Sequence, residues 1–362
     1  MTLSCLIADT YYDRFLTDLY DQNHELTDLE YDEQHARLMT QNFGTGDAYA
    51  HGLRQLGHQA ETIVLNATPL QLAWAREHHV SPARQNTKWD PDIFIAQMKL
   101  LRPDVLYIQE LSIAGDDITA AVRPFTRLIV GQLACSIPPN RSFHHHDLII
   151  SSWKPIVNYF RDRGKPAEFL PLAFDPRVLD KLGPTEPAYD VSFVGGLAPV
   201  HADRIALLEH LATRTELTVF GYGAESLPRN SPILKNHKGH AWGLDACRAL
   251  AASRITINSH GRIEVPGRND GDHANNMRLF EATGVGTLLL TDWKPDLPDL
   301  FAPDRELAVY HSPAQCLENV QYYREHENDR RALAQAGQRR TLADHTYAHR
   351  LAQLAHILSR HL

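Results

Sequence analysis

A chain of 362 residues that is 43% hydrophobic and 22% charged is long enough for two ordinary domains, each with its own core. The formal net charge of -8, with no clustered run of Lys and Arg, disfavours a nucleic-acid partner, because phosphate binding needs such clusters. The start, MTLSCLIADTYYDRF, lacks a basic leader and a signal core, and no stretch approaches the roughly 20 apolar residues of a membrane span, so a cytoplasmic protein is expected. Cys5, Cys135, Cys247 and Cys316 have no CxxC spacing and read as reduced thiols, not as a disulfide frame or zinc site.

Short apolar runs recur between helical patterns through the first half: 3–8, 60–65, 104–108, 127–131, 147–151 and 168–172. Strands alternating with helices imply a parallel sheet covered on both faces. The segment Asp9 to Glu33 carries nine acidic residues against the single base Arg14 and reads first as a solvated helical face. NFGTGDAYAHGLRQLGH, Asn42 to His58, is a glycine loop feeding a helix, with Asp47 as its expected N-cap. A carboxylate there could also take the proton of an acceptor hydroxyl, which makes Asp47 a candidate general base. Three adjacent histidines in FHHHD, Phe143 to Asp147, cannot all face one ion from a regular strand, so no metal site is expected.

AFDPRVLDKLGPTEPAY, after Pro171, lacks helical or strand period and reads as a linker. Alternation resumes at 189–196, 216–223, 254–261, 286–292 and 306–310, giving a second α/β domain. The expected boundaries are 1–172, 173–340 and a terminal amphipathic helix over 341–362.

In DVSFVGGLAPVHADR an apolar strand ends in Gly195 and Gly196, and a helix begins near His201. Glycines there let backbone amides approach a ligand, and the helix start favours an anion such as a diphosphate. His201 and Arg204, one turn apart, could add charge-assisted contacts. No GxGxxG follows this strand, so a nicotinamide enzyme is disfavoured.

HANNMRLFEATGVGTLLLTD, His273 to Asp292, is the most specific stretch. It is expected to open a helix at His273 to Asn276, with an asparagine cap, and to stop it at Gly284. Asn275 and Asn276 would offer amides to an anion, while Arg278 and Glu281 share a face at i, i+3. Glu281 is placed to accept ribose hydroxyls; the plain alternative is a surface pair with Arg278 worth well under about 1 kcal/mol.

NMRLFEATGVGTLLLTD and the residues that follow it to the end of the chain resemble the C-terminal domain of the CgeB-like glycosyltransferases, relatives of glycosyltransferase family four. The resemblance is close over about the last third, and the Gly-Gly turn extends it across the second domain. It implies a GT-B architecture: two Rossmann-like domains facing a central cleft, the donor held by the second, and a terminal helix crossing back to the first. It implies that Glu281, in the pattern Glu281-Ala282-x-Gly284, binds the donor ribose, and that the backbone of NHKGHAWG, Asn236 to Gly243, contacts the base; Lys238 in that stretch reads either as a phosphate contact or as a merely exposed lysine. Relatives carry another glutamate eight residues before the ribose-binding one; here that position is His273, which joins Asp47 as a catalytic candidate.

The resulting expectation is a metal-independent glycosyltransferase using a nucleotide-diphosphate sugar, a UDP-sugar foremost, with no other cofactor. Arg204 or Arg278 would offset the developing charge of the leaving diphosphate. A nucleotide-sugar epimerase and a catalytically silent scaffold binding a protein through Asp9 to Glu33 are the alternatives.

Overall fold

The computed structural model describes residues 2–82, 89–111, 114–137, 142–261, 263–266 and 273–362. The chain divides into two compact units: Met1–Pro171 with Glu264–Asn269 and Tyr347–Leu362, and Leu172–Ile263 with Asp270–Thr346.

In the first unit the strands are β1 (Ser4–Asp9), β2 (Gln59–Val64), β3 (Val105–Ile108), β4 (Leu128–Gln132), β5 (Leu148–Ser151) and β6 (Ala167–Phe169). They form one sheet in the order β2-β1-β3-β4-β5-β6, and every pairing is parallel. Each predicted apolar run overlaps one of these strands. A parallel sheet sandwiched by helices buries both faces, so its strands are written as near-continuous apolar runs.

The second unit holds β7 (Tyr189–Val194), β8 (Leu217–Phe220), β9 (Ser253–Asn258), β10 (Leu288–Asp292) and β11 (Ala308–Tyr310). The order is β11-β10-β9-β7-β8, again parallel throughout. Its core clusters pack Val191, Phe193, Ile255, Ile257, Leu288 and Leu290 on one side, and Val194, Phe280, Leu289 and Phe301 on the other.

Two expected boundaries shift for physical reasons. The stretch read as a linker contains a short helix, Arg177–Leu182, and anchors Phe174 and Val178 in the second unit's core. Thr341 still belongs to the helix Glu327–Asp344, and the terminal helix starts only at Tyr347. That last helix buries Leu351, Leu354, Ile357 and Leu358, with Leu351 filling the space above Gly52, where a Cβ would stand 2.8 Å from the leucine Cγ.

Candidate functional site

In an open parallel sheet, ligands settle beyond the carboxyl ends of the strands where the strand order reverses. In the second unit that place is β7, flanked by β8 and β9. The strand ends there are knit by polar side chains. Asn258 donates from Nδ2 to Thr291 Oγ1 at 2.9 Å, and its carbonyl accepts from the Tyr310 hydroxyl at 2.6 Å. His260 donates both its backbone N–H, at 3.0 Å, and ring Nδ1–H, at 2.7 Å, to Asp292 Oδ1. Burial alone would push the Asp292 carboxyl up, but the His260 hydrogen bond and charge, with Lys294, outweigh it and hold the group at about 2.

The Gly195–Gly196 turn follows β7 as expected, but its glycines serve packing. A Cβ on Gly196 would stand 2.8 Å from the Tyr222 ring. The Gly195 N–H donates to Phe220 O at 2.9 Å, so it is spent within the chain and is not the phosphate donor the sequence reading expected. Helical structure begins where predicted, with the α-helix Ala202–Ala212 following His201.

Arg204 lies on that helix and is 8% exposed. Its guanidinium donates to Gly196 O at 3.0 Å and to Ser259 O at 2.8 Å, tying the loop after β7 to the loop after β9. It is bonded to two carbonyls, not to a carboxylate, so a buried positive charge is held at the strand ends.

The helix of the most specific stretch runs over Arg278–Gly284, later than expected, and the cap position is Met277, with no side-chain cap bond. Asn276 still caps in a local sense, since its Oδ1 accepts from the Arg278 N–H at 2.6 Å. Its Nδ2 reaches Asn258 Oδ1 at 2.8 Å, which anchors the segment to β9. The N–H groups of Leu279, Phe280 and Glu281 donate to the carbonyls of Asn276 and Met277. The first turn of the helix is thus spent within the chain, and Asn275 and Asn276, whose amides were the expected anion donors, stand half-buried ahead of it.

The stop also differs. Gly286, at φ +84, takes the left-handed C′ position, with Gly286 N–H on Thr283 O and Thr287 N–H on Ala282 O, the two bonds of a Schellman motif. Gly284 is instead a packing glycine against Phe174.

Arg278 and Glu281 form the i, i+3 ion pair at 2.7 Å, with side chains 15% and 23% exposed. His273 pairs through Nδ1 with Asp296 Oδ2 at 3.1 Å, and the same carboxylate accepts from Ala274 N–H at 2.7 Å. Position 273 thus carries a histidine paired with a carboxylate that comes from position 296. Lys238 is exposed, and its backbone N–H donates to Val219 O at 2.9 Å.

In the first unit the order reverses at β1, which ends in Asp9. Asp9 is 6% exposed; Oδ1 accepts from Thr10 N–H at 2.8 Å and Oδ2 from Gly46 N–H at 3.2 Å. Burial pushes its carboxyl up to about 7 against the lowering effect of those donors and of the Thr45 backbone. The helix Gly46–Gln55 begins after Thr45, so Asp47 occupies its first turn and is not the N-cap that the sequence suggested. Asp9 takes over part of that duty from across the loop. In the sequence it has no local signal of its own, since it closes an apolar strand at the edge of an acidic run. Among the described residues no three His, Cys, Asp or Glu side chains gather as a metal site, and FHHHD forms no such group.

Two parallel-sheet α/β units of this kind define the class: the fold is that of the GT-B glycosyltransferases. Residues 204–356 match a family model described as glycosyl transferase-like. The whole chain is similar in fold to Anabaena HepE solved with UDP-glucose, at 12% identity and TM-score 0.60, covering 99% of this chain and 100% of that one. It is likewise similar to sucrose-phosphate synthase from Thermosynechococcus elongatus, at 9% identity and TM-score 0.59, with 98% of each chain covered. AviGT4, a glycosyltransferase involved in avilamycin A biosynthesis, is similar at 13% identity and TM-score 0.54, with 98% of this chain and 96% of that one covered. No curated protein matches the sequence. No helix among the described residues is long and apolar enough to cross a membrane.

Proposed function

We propose that the protein is a cytoplasmic, CgeB-like glycosyltransferase that moves a sugar from a UDP-sugar to an acceptor hydroxyl without a metal ion. The observation that carries this reading is Arg204, a buried guanidinium bonded to two carbonyls at the ends of β7 and β9, inside a region that matches a glycosyl transferase-like model. A buried positive charge without a bonded carboxylate is costly, and a bound diphosphate would compensate it. UDP is favoured over other nucleotides by the fold's likeness to HepE, which was solved with UDP-glucose.

In this reading Glu281 exchanges its pair with Arg278 for the two ribose hydroxyls, and Arg278 turns to the diphosphate. The acceptor oxygen bonds to the anomeric carbon as the bond from that carbon to the diphosphate oxygen breaks; the hydroxyl proton passes to Asp47. The negative charge that grows on the leaving diphosphate is offset by Arg204 and Arg278. His273, steadied by Asp296, lies beside the sugar, and Lys238 closes over the phosphates from its exposed loop.

Calorimetry with UDP, GDP, ADP and dTDP tests the donor half: UDP binds, and Glu281→Ala weakens it. Binding of none of the four would overturn the reading. A radiolabelled UDP-sugar assay tests the chemistry, because a transferase releases UDP, whereas an epimerase returns an isomerised donor and releases none.

A further inference from the structure

We propose that His260 is a further donor-binding residue: held by Asp292, it points its second ring nitrogen at the donor diphosphate and shares that anion with Arg204. The inference rests on the donor reading above and adds a contact that reading does not use.

Three observations carry it. The first is fixation. The His260 side chain is 1% exposed, and both its backbone N–H and its Nδ1 are committed to one oxygen, Asp292 Oδ1, at 3.0 and 2.7 Å. With its backbone and its Nδ1 both tied to Asp292 the ring has one orientation, and an acceptor on Nδ1 fixes which nitrogen remains available for other work.

The second is that Nε2 of this ring is buried and has no hydrogen-bond partner among the described residues. Leaving a buried polar atom unpaired costs roughly 1 to 3 kcal/mol, so such atoms in a folded chain call for an explanation, and a ligand is one. Arg204 shows the same signature: Nη1 and Nη2 are paired, while Nε is buried and unpaired. The two groups are adjacent through the chain, since Arg204 Nη2 holds Ser259 O, the carbonyl just before His260.

The third is charge. Lys294 Nζ lies 3.2 Å from Asp292 Oδ2, so this carboxylate already faces one cation. Arg204 adds a second buried positive charge bonded to carbonyls. With a proton on Nε2, the ring would offer one N–H beside the unpaired Nε–H of the Arg204 guanidinium, a pair suited to an anion with several oxygens, and charge-assisted bonds of this kind are the strong ones.

Asparagine and glutamine separate the two halves of the histidine. The Nδ2 of His260→Asn falls where Nδ1 was and keeps the bond to Asp292, but the variant loses Nε2. His260→Gln places an amide near Nε2 and gives up the Asp292 bond. The probes are UDP and uridine, measured by calorimetry on the full chain, with thermal unfolding as the check on folding.

The expected result is that His260→Asn unfolds at the wild-type temperature and binds UDP about tenfold or more weakly, with uridine affinity unchanged. Wild-type UDP affinity in His260→Asn overturns the inference and leaves the donor reading standing. So does an equal loss for UDP and uridine, which marks general damage to the site. Should His260→Asn not fold, His260→Gln is judged by the ratio of UDP to uridine affinity: a ratio near that of wild type supports the contact, and loss of the gain of UDP over uridine overturns it. If wild type binds no nucleotide at all, the donor reading itself has failed, a result distinguishable from each of these.

Discussion

Phe174 lies against Gly284, so close that a Cβ on the glycine would stand 2.5 Å from the ring Cγ. Phe174 is 2% exposed and belongs to the second unit's core, so it has no room to retreat. Gly284→Ala is therefore expected to cost about 2 kcal/mol or more by overpacking. Gly286→Ala strains a left-handed residue at φ +84 and should cost about 1 kcal/mol. Urea unfolding of both variants and of Phe174→Ala/Gly284→Ala checks this: removing the ring should recover much of the Gly284→Ala penalty, because the two residues are coupled.

Arg278 and Glu281 pair at 2.7 Å while both remain partly exposed. Such a pair, mostly covered, lies between the exposed and the buried case, so Arg278→Ala and Glu281→Ala should each lower stability by about 1 to 2 kcal/mol. Their effect on the proposed reaction should be far larger. Loss of a carboxylate that accepts ribose hydroxyls should weaken UDP binding roughly 30-fold. Loss of Arg278 should lower kcat on the order of 100-fold, because its contact strengthens as the leaving charge grows. Thermal unfolding beside steady-state kinetics separates the two kinds of effect.

These contrasts bear on what the sequence made legible. Every strand could be placed because buried parallel strands are continuous apolar runs, a property carried locally by segments such as LSCLIA and TLLL. The helix Arg177–Leu182 was missed because its meaning lies in Phe174 and Val178 meeting a core more than a hundred residues further on, around Gly284. The stop at Gly286 and not Gly284 depends on which of two nearby glycines adopts positive φ, and spacing alone does not decide that. Glu281, Arg278 and Arg204 were visible as residue types in patterned turns. Asp9, His260 and Asp292 were not: each is one polar residue at or just beyond a strand end, and only the parallel register brings such ends together.

Asp292 sets an acid limit on the second unit. Its folded carboxyl stands at about 2, below the roughly 3.9 of an unfolded aspartate. A depressed carboxyl contributes stability that is fully present above the unfolded value and is lost as the pH falls toward the folded one. Wild type should thus lose stability relative to Asp292→Asn between about pH 4 and pH 2, and urea midpoints measured across that window check the slope. Parallel curves for the two proteins would count against the His260 and Lys294 contacts as its cause.

Asp9 acts in the opposite direction. Burial raises its folded carboxyl to about 7, with the Thr10, Gly46 and Thr45 backbone donors too weak to offset it, whereas the unfolded value is near 3.9. The folded chain therefore holds a proton there that the unfolded chain releases. That contribution is fully present below about pH 4 and is lost as the pH rises through about 7. Asp9→Asn keeps an oxygen for one backbone donor and cannot ionise, so its stability should not carry this slope. Unfolding free energies of wild type and Asp9→Asn between pH 4 and pH 8 are expected to converge, or to cross in favour of the variant, as the pH rises. A difference that stays constant across the range would show that Asp9 remains ionised throughout, held by its two amide donors at the start of the helix Gly46–Gln55.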